Sequence, residues 1–555
     1  MHPRGLAEAG AVLVGALLLT TALTFPLVPK LDHVGRLNTD DGRWSIWIVS
    51  WVADALIVHP RTLFDANIFY PAKHTLAYSE SNIGAGIIAI PAWGLTGNPY
   101  LAHNSVVVFA FVMAALGAYY LVRYLSASRE AAAVAAVLFA FCPFIFARTA
   151  HIQLLMSFGL PFAMLAFHRL ADHPTAARAV VLGLVLWFQA LSCAYYGIFA
   201  ALMVGLATLF FAGTRGQWRS LRYWSVIALA AAVAIGLTTP FFIPYLATQQ
   251  DGFARTLDDA RVYSANGGAW LASSAWAHRW WLPAIEGFSE VLFPGLLLTG
   301  LGLAGAWRAL SGGPSVAAAT PPAPRLARDV AIYYLIVALV AFWASFGPDA
   351  GLYTVLFDTV PVFSFLRAPA RMGLMVALAL TVLTSGVLAP WLRAQRRRVA
   401  WTAALVVLAA LELNGAPLTS LREAPPVPEA YRALARLPRG PVAEFPYYYQ
   451  RSDFPRHAEY MLGSTTHFQP LINGYSDHIP AEWRATVVPI SSFPTRESFG
   501  ILGKIGARYA VFHLNGYDRR SRERLLTRIE EYRQYLRPLV QQDDVWLYEI
   551  VDWPN

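Results

Sequence analysis

The chain has 555 residues, of which 56% are hydrophobic and 14% are charged. Ordinary soluble domains carry about 25% charged residues, so this composition excludes a disordered chain, a fibrous repeat and a cytosolic multidomain enzyme. The formal net charge is +9, which raises the question of a nucleic-acid partner. Cys142 and Cys193 both lie in apolar runs and have no CxxC partner, so we expect neither a disulfide scaffold nor a thiolate metal site.

Long apolar runs predict a polytopic membrane protein. Several runs are shorter than the ~20 residues that a straight crossing needs. The first begins MHPRG and lacks a small-x-small cleavage site, so we interpret it as a retained anchor. The eleven candidate spans are Gly10 to Leu27, Ala102 to Val122, Ala131 to Phe146, Ile152 to Phe167, Ala179 to Ala194, Gly197 to Phe211, Trp224 to Tyr245, Val291 to Trp307, Val330 to Ala344, Met372 to Trp391 and Val399 to Leu413.

The basic residues predict the orientation of these spans. If the N-terminus is cytoplasmic, the inner connections hold many arginines and only four acidic residues, as the positive-inside rule requires. This placement explains the basic excess without nucleic acid. The weaker run Ile83 to Trp93 contains Pro91 and is predicted to lie on the membrane surface or to be re-entrant. The inner arginines are Arg4, Arg123, Arg129, Arg169, Arg178, Arg215, Arg219, Arg222, Arg308, Arg325, Arg328, Arg393, Arg396, Arg397 and Arg398, and the acids are Glu8, Glu130, Asp172 and Asp329.

Three large regions then lie on the outer face of the membrane. They are a first loop at about 30–103, a second loop at about 247–289, and the tail. The second loop holds Asp258, Asp259 and several tryptophans, which suits a lid on the membrane. Because the inner connections are short, we expect the chemistry outside. The predicted division is a membrane domain at 1–415 and a C-terminal external α/β domain at 416–555.

The first loop carries an acidic pair directly after the first span. Asp40 and Asp41 precede a stretch whose Trp44, Trp47, Ile48, Trp51 and Ala55 share one helical face. The pattern predicts an interfacial helix with its indoles in the membrane belt. Asp41 has an alternative interpretation as the residue that begins this helix.

On these residues the chain resembles the GT-C superfamily of integral membrane glycosyltransferases. The resemblance covers the acidic pair after the first span, the amphipathic helix behind it and the FDANIFYP and AYSE stretches, while the order of spans, juxtamembrane helices and tail is similar throughout. It implies that Asp40 or Asp41 acts as general base or orients the acceptor, with His74 and Glu80 as candidate substrate-binding residues. No WWDYG-like motif occurs in the tail, so oligosaccharyltransferases are not the expected relatives.

Transfer of a sugar to a hydroxyl needs a base for the proton and cations for the charge on a phosphate leaving group. Arg367 and Arg371 in PVFSFLRAPARMG suit the second task, because the planar guanidinium binds phosphate in a bidentate way. Their alternative interpretation is a pair of anchors that extend to the interface. Pro369 between them makes a regular helix doubtful.

Polar residues at two outer turns are further candidates. Arg148, His151 and Gln153 interrupt apolar sequence, and ionisable groups at such depth usually face a cavity. His151 and Gln153 are therefore predicted to bind substrate, with a water-exposed turn as the alternative. Tyr195 and Tyr196 are candidates for stacking on a sugar, and a place in the interfacial belt is their alternative.

The tail after about Pro417 is more polar and of mixed pattern. PVAEFP, ARYAVFHL and DDVWLYEIV are predicted strands, and PEAYRALARL, ESFGILGKIG and SRERLLTRIEEYRQYL are predicted helices. PLINGYSDHIPAEW is predicted to be a structured loop. It offers Tyr475, Asp477 and His478 either for contact with substrate or for acceptor docking.

The expected fold is thus an all-α polytopic bundle of about eleven spans with external juxtamembrane helices and a small C-terminal α/β domain. The expected protein lies in the bacterial plasma membrane with its tail outside. It moves a sugar from a polyprenyl-phosphate carrier to a glycan, lipid or protein acceptor. No cofactor beyond that donor is expected and a divalent metal is left open. A noncatalytic transporter or flippase, or a structural subunit of an envelope complex, are the alternatives.

Overall fold

The computed structural model describes residues 3–250, 255–311, 326–360, 363 and 365–554. The chain forms two compact units. The bundle unit comprises Met1–Lys30, Val106–Ile243 and Ala254–Thr419, and the sheet unit comprises Leu31–Ser105, Pro244–Phe253 and Ser420–Asn555. The first loop thus folds with the tail, while the sequence boundary at 415 stays a prediction.

The chain is mainly helical. The six strands are β1 (Val34–Gly35), β2 (Arg422–Glu423), β3 (Val442–Phe445), β4 (Tyr509–His513), β5 (Leu536–Gln542) and β6 (Val545–Ile550) among the described residues. The α-helices in the same residues are α1 (Pro3–Leu23), α2 (Asp40–Val58), α3 (Ile83–Thr96), α4 (Pro99–Ser126), α5 (Arg129–Ala140), α6 (Pro143–Ala147), α7 (Ile152–Leu155), α8 (Gly159–Asp172), α9 (Ala176–Ser192), α10 (Ala194–Thr214), α11 (Leu221–Gln250), α12 (Leu257–Val262), α13 (Leu296–Ser311), α14 (Arg328–Ser345), α15 (Leu352–Thr359), α16 (Gly373–Ala394), α17 (Arg398–Glu412), α18 (Glu429–Leu434), α19 (Ala458–Gly463), α20 (Ala481–Ser491), α21 (Arg496–Ile505) and α22 (Arg519–Glu531).

Within the described residues, eight stretches are helical, long and apolar enough to cross a membrane. The other three predicted spans correspond to α9, α13 and α17, which have 17, 16 and 15 residues. Large apolar side chains on the long apolar helices remain exposed, for example Leu18 in α1 and Ile235 in α11, as lipid-facing residues do. The chain is an integral membrane protein. The eight stretches are Gly5–Leu23, Pro99–Ser126, Arg129–Ala147, Ile152–Asp172, Ala194–Thr214, Leu221–Thr248, Arg328–Ser345 and Pro369–Ala394.

Ion pairs join the helix ends that the sequence assigns to one side. Glu8 pairs with Arg123 and Arg129, and Arg215 bridges Asp172 and Asp329. Glu130 pairs with Arg398. All four acids of the predicted inner connections therefore contact arginines of the same set. Arg325 of that set lies outside the described residues.

The first-loop helix α2 lies in the interior of the sheet unit. Trp47 and Trp51 are each 1% exposed, and their indole N–H groups donate to Asn67 Oδ1 and to the Leu63 carbonyl, both at 3.1 Å. Trp44, Ile48 and Ala55 are also buried. The prediction that these indoles lie in the membrane belt is therefore wrong. The sequence predicted the apolar face of α2 correctly, but this face packs on protein and not on lipid.

Helix α3 supplies part of that packing. It spans the run that the sequence assigned to a surface or re-entrant segment, and Pro91 lies inside it. A Cβ on Gly86 would overlap the Val52 side chain of α2, so the two helices approach closely at this glycine. Trp93 Nε1 donates to Asp54 Oδ1 at 3.2 Å.

The tail folds as an α/β layer around a four-stranded sheet in the order β3-β4-β6-β5. β3 and β4 are parallel, and the other neighbours are antiparallel. The three predicted strands and the three predicted helices are confirmed. The sequence missed β5 because it contains Pro538, which an edge strand tolerates. The helix predicted to run through Leu536 ends instead at Glu531.

Candidate functional site

The acidic pair of the first loop lies in the first turn of α2. Thr39 is the N-cap, and its hydroxyl accepts the backbone N–H of Gly42 at 3.2 Å. Asp40 pairs with Arg43 at 2.9 Å in a half-exposed position. The alternative interpretation of Asp41 needs correction, since Thr39 caps the helix. Both carboxylates instead lie where the helix dipole favours negative charge.

Two arginines that the sequence did not single out accompany this turn. Arg36 follows β1, and a Cβ on Gly42 would overlap the Arg36 carbonyl oxygen, so the first turn of α2 packs directly on the Arg36 backbone. Burial, and secondarily the charge of Arg422, lowers the pKa of Arg36 from its usual value. Arg422 lies beside it because β2 pairs with β1 in the register Gly35↔Arg422. Only this pairing, across almost 400 residues, brings the two cations together.

The AYSE stretch of the first loop contacts the tail segment that carries Asp477 and His478. Ser79 Oγ donates to Asp477 Oδ2 at 3.0 Å, and the His478 backbone N–H donates to the Tyr78 carbonyl at 2.9 Å. The Tyr78 and His478 rings meet edge-on with centroids 4.9 Å apart. Glu80, which follows Ser79, is therefore close to candidates that the sequence placed in a separate domain.

His74 lies apart from these contacts, on an exposed turn of the first loop. Its backbone has φ +55°, in the left-handed region. Its backbone N–H donates to Asp65 Oδ1 at 2.9 Å, which holds the turn. The environment of His74 is that of a surface residue.

The bundle unit brings together most of the remaining candidates. Tyr195 is buried in the first turn of α10, and the Arg371 guanidinium lies over its ring, 4.2 Å from the centroid. The Arg367 backbone N–H donates to the Tyr195 hydroxyl at 2.8 Å. Pro369–Met372 forms a 3₁₀ turn before α16 begins at Gly373. The two arginines are thus not on one regular helix, as Pro369 predicts.

Arg148 is the third cation of this group. It is paired with Glu290 of the second loop, and both side chains are mostly buried. Burial, and secondarily the charge of Arg371, lowers the pKa of Arg148 to about 10. Its Nε has no hydrogen-bond partner among the described residues. The Arg371 guanidinium is therefore close enough to act on the charge of Arg148, which Glu290 balances.

Tyr196, which follows Tyr195 in α10, contacts the short helix α7. Tyr196 is fully buried, and its hydroxyl donates to the Leu154 carbonyl at 3.1 Å. Tyr195 and Tyr196 are buried in protein, so neither ring faces the membrane interface and neither presents an open face to a sugar in this structure. Gln153 is buried one residue before Leu154, and half-buried His151 precedes α7.

The second loop is held to the bundle by polar contacts. Trp270 Nε1 donates to Ser345 Oγ at 3.1 Å. His278 Nε2 lies 3.1 Å from Glu412 Oε1, and that carboxylate also accepts the backbone N–H of Leu297 at the start of α13. Glu290 and Glu412 are residues that sequence reasoning missed, since each lies at the end of an apolar segment with no surrounding motif.

The candidates thus fall into two groups. Asp40, Asp41, His74 and Glu80 belong to the sheet unit. Arg367, Arg371, His151, Gln153, Tyr195 and Tyr196 belong to the bundle unit. Across the described ranges, no cluster of three or more His, Cys, Asp or Glu residues is placed to hold a metal ion.

No family model and no curated protein sequence matches the chain, but solved structures do. The arabinofuranosyltransferase AftD from Mycobacteria is similar over 100% of this chain, with a TM-score of 0.63 and 14% identity. The archaeal oligosaccharyltransferase AglB from Archaeoglobus fulgidus covers 100% of this chain and 75% of its own, with a TM-score of 0.49 and 15% identity. ArnT from Cupriavidus metallidurans covers 99% and 98%, with a TM-score of 0.42 and 14% identity.

Of these three TM-scores only the first exceeds 0.5, so the fold assignment rests on AftD. This chain spans 40% of the length of AftD. The similarity extends over both units, as the order of spans, juxtamembrane helices and tail predicts. The chain therefore has the GT-C-like fold that its sequence predicts.

Proposed function

We propose that the chain is a membrane glycosyltransferase that moves a sugar from a polyprenyl-phosphate carrier to an acceptor hydroxyl on the outer face of the membrane. The observation that carries the proposal is the first turn of α2. It presents Asp40 and Asp41 at the start of the next α-helix after α1, in a chain with the fold of AftD. Similarity to an arabinofuranosyltransferase supports the reaction class, whereas the sugar is left open.

Asp40 is the proposed general base. As the acceptor oxygen attacks the sugar, a carboxylate takes the hydroxyl proton, and a positioned base contributes about 10²–10⁴ to the rate. Asp41 is the adjacent acid that orients the acceptor. The ion pair between Asp40 and Arg43 is half-exposed, and ion pairs of this kind contribute only about 0–1 kcal/mol to the free energy of unfolding. The stability of the fold therefore gives little reason for a carboxylate at this position.

The arginines of the bundle unit are the proposed site for the carrier phosphate. Arg148 is largely desolvated and is close enough to Arg371 for the two charges to interact, and Arg367 is fixed through its backbone to Tyr195. A phosphate there would relieve the repulsion between the guanidinium groups and accept their N–H donors. These residues then neutralise the charge that develops on the leaving group.

The transporter interpretation makes a different prediction. A transporter or flippase places its essential ionisable groups near the midplane between repeated halves, and a structural subunit needs no base. Substitution of the acidic pair therefore separates these functions from the enzyme.

The test is sugar transfer from radiolabelled polyprenyl-phosphate sugars by the purified full chain. Asp40→Asn or Asp41→Asn should lower the transfer rate by about 10²–10⁴, while expression, thermal stability and carrier binding stay near those of the unsubstituted protein.

Two controls accompany this experiment. Asp32→Asn removes an exposed carboxylate of the same unit and should leave the rate unchanged. Arg43→Gln breaks the ion pair of Asp40 but keeps the carboxylate, so it should retain far more activity than Asp40→Asn. Normal transfer by both Asn variants would reject the catalytic assignment, and loss through misfolding alone would assign the pair to helix structure.

A further inference from the structure

The sheet unit holds a buried carboxylate that the proposed chemistry does not use. Glu444, in β3, is fully buried, and its Oε2 lies 2.6 Å from Nε2 of His513. The Tyr431 hydroxyl also donates to Glu444 Oε2, at 3.0 Å. The other carboxylate oxygen, Oε1, has no hydrogen-bond partner among the described residues. Burial of a carboxylate oxygen without a hydrogen bond costs free energy. Such a group in a folded protein therefore calls for an explanation.

Glu444 fixes the orientation of the His513 ring. With Nε2 directed at the carboxylate, the ring keeps Nδ1 for another partner. In the described part of the chain, every hydrogen bond of this ring is made through Nε2. The His513 side chain is 14% exposed, so the imidazole is reachable from solvent while Glu444 is not.

The pair lies at the carboxyl edge of two parallel strands. β3 and β4 run in the register Phe445↔Phe512, so His513 ends β4 next to the end of β3. The loops that follow adjoin each other, because a Cβ on Gly516 would lie 2.9 Å from Pro446. In α/β sheets this edge is where ligands bind.

Aromatic rings continue from His513 across this edge. Tyr460 stacks on His513 with centroids 4.9 Å apart, and Tyr448 stacks on Tyr460 at 6.0 Å. Tyr448 is half-buried and the next residue, Tyr449, is 48% exposed. Tyr449 is thus the ring of this edge that is open to a ligand, and an exposed ring together with a fixed hydrogen-bonding group suits a ligand that has both apolar C–H faces and hydroxyl groups.

The charges at this edge are mixed. Arg456 lies over the Tyr448 ring at 4.1 Å, while Asp453 and Glu459 also act on that tyrosine. Because two carboxylates lie near this one guanidinium, the edge lacks the excess of positive charge that phosphate binding requires. The chemistry favours a neutral polyhydroxylated ligand.

We propose that the carboxyl edge of β3 and β4 is a binding site for a neutral oligosaccharide, in which His513 hydrogen-bonds a sugar hydroxyl and the exposed Tyr449 stacks on the ring. Glu444 is a positioning residue that orients His513. The inference deepens the proposed function and rests on it for the role of the ligand, since a glycan held here is the acceptor.

Calorimetric titration of the full chain in lipid nanodiscs tests this site without turnover. The probes are short linear mannose, galactose and arabinose oligosaccharides, with inorganic phosphate as the anionic probe. At least one oligosaccharide should bind, and phosphate should not compete with it. His513→Gln removes the hydrogen bond and Tyr449→Leu removes the stacking face. Each should weaken oligosaccharide binding by about tenfold, the equivalent of 1.4 kcal/mol.

His33→Gln is the matched control, because His33 also contacts a carboxylate at 2.6 Å but is exposed and outside this edge. It should bind the oligosaccharide normally. Asp40→Asn should also bind normally, so failure of the proposed catalysis and failure of this site give different results. The proposal is overturned if no oligosaccharide binds, if phosphate displaces it, or if His513→Gln and Tyr449→Leu both bind like the unsubstituted protein.

Discussion

Arg148 and Arg371 show that the role of an arginine depends on the groups around it and not on its residue type alone. In the sequence, the turn that carries Arg148 faces either a cavity or water, and Arg371 is either a phosphate-binding residue or an interface anchor. In the structure, Arg148 is mostly buried against Glu290 and Arg371 lies over the Tyr195 ring. An interface anchor extends its charge into water. These two side chains instead hold their charge against protein groups, which favours a role in anion binding.

Substitution of Arg371 by Lys tests this role at the residue scale. Lysine keeps the charge but loses the planar fork, and so loses bidentate contact with phosphate and stacking on Tyr195. We expect Arg371→Lys, and likewise Arg367→Lys, to weaken carrier binding by about tenfold in a titration with polyprenyl phosphate.

Arg279→Lys is a matched control for that titration. Arg279 also lies over an aromatic ring of the bundle unit, that of Trp276, at 4.8 Å, but the proposed site does not include it. The control should bind the carrier normally. Unchanged affinity in both Arg367→Lys and Arg371→Lys would show that these residues do not bind the carrier phosphate.

At the scale of elements, the start of α2 determines where the acidic pair lies. The Thr39 cap and the close approach of Gly42 to the Arg36 carbonyl fix the first turn. The apolar face of the helix then fixes its rotation, because Trp47 and Trp51 each donate a buried hydrogen bond. A change at Gly42 therefore moves the carboxylates without touching them.

Gly42→Ala should lower both the transfer rate and the thermal stability. The added Cβ meets backbone rather than a flexible side chain, and overpacking of this kind costs about 1–3 kcal/mol. Gly500→Ala is the control, since nothing lies within 4 Å of a Cβ at that helical position and Ala is favoured there by about 0.5–1 kcal/mol. Activity and melting temperature of both variants give the comparison. Normal values for Gly42→Ala would show that the turn tolerates displacement.

At the scale of the whole molecule, the ion pairs within the bundle unit support the predicted set of inner connections. Contacts of Glu8, Glu130, Asp172 and Asp329 with inner arginines require those helix ends to share one end of the unit. The positive-inside rule then predicts that this end is cytoplasmic. The proposed outer position of the chemistry depends on that assignment.

Reporter fusions test the orientation. A reporter after Arg398 should lie in the cytoplasm and one after Pro425 outside, because α17 separates the two positions. A fusion after Arg178 serves as the internal reference and should agree with the one after Arg398. If the fusions after Arg398 and Pro425 both report the cytoplasm, the proposed external reaction is wrong.

The GT-C fold was expected from a family resemblance. The sequence by itself determined the membrane character, the helix behind the acidic pair and three of the four strands of the tail sheet. Each of these follows from local signals, since apolar run length and the helix and strand periods are written in neighbouring residues. The missed strand β5 lacks such a signal, because Pro538 interrupts it and an edge position needs little burial.

Only the tertiary structure decided what those elements contact. An amphipathic pattern states that a face is apolar, but the same face fits lipid or protein, so the indoles of α2 were assigned to the wrong surroundings. The pairs Arg148 with Glu290 and Glu444 with His513 join residues 142 and 69 positions apart. Such pairs depend on how loops close and helices pack, and no periodicity in either segment encodes the partner.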